Sequence, residues 1–71
     1  MFLPSGMVYL IDAEGKEHNV MNTDLHNMQD FKDELKYLFE KCGYDINKYI
    51  EAIYKNGNNK ITLRIILDEL Y

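Results

Sequence analysis

Cys42 is the only cysteine in a chain of 71 residues, and this limits the fold more than any motif does. A domain this small buries only about 60% of the surface its unfolded form exposes, so disulfides or a structural metal often brace such chains. A single thiol makes no intrachain bridge and no multi-cysteine metal knot. Stability must then come from apolar packing, inside the chain or against a partner. A lone thiol also fits a reducing compartment, so an intracellular, cytoplasmic setting is the expectation.

Twelve acidic and eight basic side chains give a net charge of −4. A protein that binds phosphate backbones normally carries a basic stripe, and none is visible. The acidic residues are scattered from Asp12 through Glu40, which suits a solvated surface. A nucleic-acid role, as an acidic DNA mimic or a weak helix-turn-helix binder, stands as the alternative. No run reaches the roughly 18–20 apolar residues of a membrane span. The opening MFLPSGMVYLI lacks a positive leader and reads poorly as a signal peptide. Residues 1–6 are expected to be a flexible lead-in, with Met7 an alternative start, and 7–71 a single domain. Asn, Lys, Ile and Tyr supply 27 of the 71 residues. Their codons are AT-rich, which points to an AT-rich genome such as that of a phage, a virus or a low-GC bacterium.

The pattern predicts an α+β fold, an N-terminal β-hairpin packed on three short helices. Residues 7–21 form the hairpin, with Gly15 in the turn. Met7, Tyr9 and Ile11 point to one face of its first strand and Val8 and Leu10 to the other, so both faces are apolar. A first helix over 24–42 stripes Met28, Phe31, Leu35, Leu38, Phe39 and Cys42 together, with Leu25 at the edge. Thr23 or Asp30 would cap it, and Gly43 would follow its end. A second helix over 46–55, capped by Asp45, stripes Ile46, Tyr49, Ile50 and Ile53. A third over 61–71, capped by Thr62, stripes Leu63, Ile66, Leu67 and Leu70.

Chemistry-bearing constellations are scarce. A calcium loop over 54–65 would begin at Tyr54 and end at Ile65, where carboxylates are required. Ser5 is the only serine, and Cys42 on the apolar stripe reads as an inert buried thiol. His18 and His26, with Asp24 or Glu17, could in principle form an acid–base or metal pair, but two histidines in unrelated elements read as surface residues. No catalytic, cofactor or metal site is expected. Cys42-Gly43-Tyr44 and Gly57-Asn58-Asn59 sit after the first two predicted helices, and residues 30–70 thereby resemble the ubiquitin-associated three-helix domains. That resemblance implies a ubiquitin-facing patch at Cys42, Gly43 and Tyr44.

What stands out is apolar surface without obvious cover. Tyr37 lies opposite the first helical stripe and Ile65 opposite the third, while Tyr54 and Tyr71 flank theirs. Tyrosine is favoured at interface anchors. The expectation is a small acidic, non-enzymatic interaction or regulatory module, such as an inhibitor from a mobile element. It would bind another protein or itself through Tyr9, Ile11, Tyr37, Tyr54 and Ile65, and no membrane.

Overall fold

The computed structural model of the chain describes residues 6–66 and Leu70. Four strands and one α-helix follow in the order β1 (Gly6–Asp12), β2 (Glu17–Asn22), α1 (Met28–Lys41), β3 (Tyr49–Asn56) and β4 (Asn59–Arg64). The strands form one antiparallel sheet in the order β2-β1-β3-β4, so the two hairpins lie side by side with β1 and β3 at the centre. α1 connects the hairpins and covers one face. The domain has two layers.

The first hairpin forms as its residues predict. Asp12 N–H donates to Lys16 O and Gly15 N–H to Asp12 O, closing a three-residue loop in which Gly15 takes φ +87°. A β-carbon disfavours that conformation. The Asp12 carboxylate accepts from the amides of Glu14 and Lys16, both at 2.9 Å, and so satisfies the turn's inward donors. Gly6, assigned above to the lead-in, is the first residue of β1.

α1 is shorter than predicted. It starts at Met28 because Asn27 caps it, its side chain accepting from Asp30 N–H at 2.8 Å. Asp30, proposed as the cap, instead accepts from His26 N–H at 3.3 Å, which ties the residue before the cap to the first turn. Thr23 lies upstream, its N–H donating to Gly6 O at the end of the β1–β2 ladder. Gly43 follows the helix at φ +83°, as expected.

The second predicted helix is absent, and the third does not begin where expected, its first residues being strand, while its end lies largely outside the described residues. Residues 46–48 make a single 3-10 turn capped by Asp45, and Tyr49–Asn56 and Asn59–Arg64 are strands. The ubiquitin-associated resemblance and the helix-turn-helix alternative fall with the second helix, since each needs one. The stripe Ile46, Tyr49, Ile50, Ile53 misleads for a physical reason. β3 is a central strand with apolar residues on both faces, so no alternation is visible. Gly57, read as a helix stop, starts a two-residue turn at φ +62°, and Gly-X is the chemistry of a type II′ hairpin.

The main core lies between α1 and the sheet. Phe31, Leu35 and Leu38 pack on Val8, Leu10, Ala52, Tyr54 and Leu63, with Leu70 joining them. Of the expected core, Met28, Ile50 and Ile66 are exposed. Cys42 caps α1 and is also exposed, not buried. Leu67 and Tyr71 lie outside the described residues. Among those described, no helix is long and apolar enough to cross a membrane.

Candidate functional site

Residues paired across an antiparallel ladder share a face, and this defines the side of the sheet opposite α1. Met7, Tyr9 and Ile11 of β1 pair with Lys55, Ile53 and Glu51 of β3, which pair in turn with Lys60, Thr62 and Arg64 of β4. On the β2 side Tyr9 faces Asn19 and Ile11 faces Glu17. Leu25, Tyr44 and Ile46 all pack against the main core on the other face. No described element covers this one.

The open face has an apolar centre and charged margins. Ile11 and Ile53 are 8% and 7% exposed, Met7 is 42% exposed, and Tyr9 is half-buried. Lys55 Nζ lies 2.9 Å from Glu17 Oε1 and 4.7 Å from the centre of the Tyr9 ring. The hydrogen bond to Glu17 raises the Lys55 pKa above its ordinary value. Lys60 and Arg64, two residues either side of Thr62, have no ion-pair partner among the described residues.

The two edges of the sheet differ. β2 carries a bulge opposite Val8 and Tyr9, and Asn19 Nδ2 donates to Val8 O there at 3.2 Å. A bulge is a common guard against further strand pairing. β4 pairs with β3 without any shift of register. Ile65 N–H donates to Ile50 O at 3.0 Å, which sets the phase of that ladder. Antiparallel pairs alternate between bonded and non-bonded. The pairs 52/63, 54/61 and 56/59 are therefore bonded, whereas Lys60, Thr62 and Arg64 turn their N–H and C=O groups outward. Two cations of the open face, Lys60 and Arg64, thus also carry outward backbone groups that no strand among the described residues pairs with.

The five residues expected to form an interface do not converge. Tyr9 and Ile11 share the open face. Tyr37 is 51% exposed, on the outer surface of α1. Tyr54 is 3% exposed and belongs to the core, its ring 6.3 Å from that of Phe31. Its hydroxyl accepts from Leu25 N–H at 3.0 Å and from Asn56 Nδ2 at 3.1 Å. Gly6 exists to admit this side chain, because a β-carbon there would run into the Tyr54 hydroxyl and ring and the carbonyl of Thr23. Ile65 packs partly buried against the core. The residues missed were Met7, Ile53, Lys60, Thr62 and Arg64. Gly57-Asn58 between two β-rich runs was the one available signal.

The histidines stay apart in role. His18 Nε2 lies 2.9 Å from Asp12 Oδ2, with its ring edge-on to Tyr49 at 6.1 Å. That contact, then the Lys16 amide, holds the Asp12 carboxyl below its ordinary pKa. The backbone N–H of His26 contacts Asp30. Among the described residues no three His, Cys, Asp or Glu side chains gather as a metal would require, and no pocket is present. No protein family matches the chain, and no curated protein or solved structure is significantly similar to it.

Proposed function

We propose that the chain is a non-enzymatic protein-interaction module that docks through the open side of its sheet. The observation that carries this reading is the one-sided cover of a four-stranded sheet. Among the described residues α1 covers only one face, while the other exposes Met7 and part of Tyr9 beside the buried Ile11 and Ile53. Antiparallel sheets do leave one face to water, but that face is then normally polar. Here its two central strands carry four apolar residues. Interface anchors are of this kind, an apolar centre with aromatic and charged margins.

The test is photo-cross-linking in the cells that encode the chain, from a benzophenone side chain placed at position 7 or at position 37. Discrete protein adducts from position 7 are expected, with none from position 37. Adducts from position 37 alone would move the interface to the outer surface of α1. None from either would sink the reading.

A further inference from the structure

We infer that the β4 edge takes up an extended acidic peptide segment as a fifth strand. The inference rests on the open side of the sheet being an interaction surface, and it names the chemistry of the occupant. Strand addition needs a free, unbulged edge, so that backbone groups supply affinity and alternate side chains supply specificity. Among the described residues β4 meets the first requirement, since no strand pairs with its outer side, its register is unbroken and Lys60, Thr62 and Arg64 direct their backbone groups outward. β2 does not, because its bulge interrupts the edge.

Charge then selects the occupant. β4 contains Lys60 and Arg64 and no acidic residue, in a chain whose net charge is −4. Both cations lie on the open face, with Thr62 between them. Ile61 and Leu63 project to the other face, where Leu63 is in the core and Ile61 packs against it. A peptide whose side chains alternate acidic and apolar would set its carboxylates beside Lys60 and Arg64 and extend the apolar layer with the rest. Opposite charges on neighbouring strands stabilise the pair, and like charges directly opposite destabilise it. The same rule disfavours a second copy of this chain, because an antiparallel pairing of two β4 edges centred on Thr62 would set each Lys60 opposite an Arg64. Single-stranded nucleic acid would need aromatic faces on which to stack. Tyr9 is the aromatic residue of this face, and Lys55 already lies over its ring.

The probes are a synthetic peptide alternating glutamate with valine, its lysine–valine counterpart, and a single-stranded oligothymidine, each titrated into the full chain by fluorescence anisotropy. The glutamate peptide is expected to bind, with affinity falling as salt rises, and the other two to bind at least about tenfold more weakly. Thr62→Pro removes an outward N–H without touching a bonded pair, so the β3–β4 ladder is expected to persist while peptide affinity falls roughly tenfold or more. The double variant Lys60→Glu/Arg64→Glu keeps the strand and is expected to reverse the preference toward the lysine peptide. Equal binding of both peptides, tighter binding of the oligothymidine, or an unchanged preference in the double variant overturns the inference. So does a dimer of the chain alone that Thr62→Pro dissociates in sedimentation equilibrium. Failure here with adducts from position 7 intact removes only the acidic strand and leaves the interaction surface standing.

Discussion

Leu10 and Ile11 are adjacent in β1 and almost equally hidden from water, 0% and 8% exposed, yet they are hidden differently. Leu10 lies in the cluster under α1 with Phe31, Leu35 and Leu38. Ile11 faces the other way, between Glu17 and Glu51 on the neighbouring strands, outside that cluster. One face is a closed core with a second layer. The other hides its central side chains without any described element above them. Apolar burial in a domain this small is therefore not one quantity, because one face is closed by a helix and the other is shielded only within its own sheet among the described residues.

The largest expected effect lies on the covered face. Phe31→Ala empties a fully buried ring site against Tyr54 and should cost about 3–5 kcal/mol, read from the shift of a urea unfolding midpoint by circular dichroism. For a domain of this size that loss is close to complete unfolding. Ile53→Ala, on the open face, should cost about 2 kcal/mol, the transfer term of the side chain without a closed cavity. A cost equal to that of Phe31→Ala would break the comparison and make the open face a second closed core.

Gly6→Ala pushes a methyl group into Tyr54 and Thr23 O at the rim of the covered face, and the expected cost is about 1–3 kcal/mol. The companion variant Gly6→Ala/Tyr54→Leu relieves part of the clash, so a double-mutant cycle should show coupling between the two positions. Additive effects would place the Gly6 requirement elsewhere.

The smallest effect belongs to the hairpin end. Asp12 has a lower pKa folded than unfolded, so it stabilises the fold above its unfolded value of about 4. That contribution is lost as pH falls through the lower folded value. Acid titration followed by NMR should show the amides of Glu14 and Lys16 moving together in this window, with no such step in Asp12→Asn. The amides of Gly57 and Asn58 should move less, since the β3–β4 turn carries no carboxylate cap.

The first hairpin and α1 were legible because their cues have a single reading. Asp12 with Gly15 supplies a turn, and Phe31, Leu35 and Leu38 recur with helical spacing in a segment ended by Gly43. The second hairpin was hidden because Asn56-Gly57 ends a helix as readily as it begins a hairpin turn. The candidate site was legible only in part. Tyr9 and Ile11 could be placed on one face from strand alternation, but Lys60, Thr62 and Arg64 could join them only once residues 59–64 were known to be a strand.

By itself the order of residues determined that this chain has no covalent brace, a net negative charge, one hairpin and one amphipathic helix. Those properties are local, set by nearest neighbours and by turns closed within five residues. Only the tertiary structure decided that residues 49–64 are a hairpin, that Tyr54 is core and not surface, and which side of the sheet no described element covers. Ile50, Ala52, Ile53 and Tyr54 suit either period, and their choice rests on β1 offering a ladder of unpaired backbone groups that no helix would have satisfied.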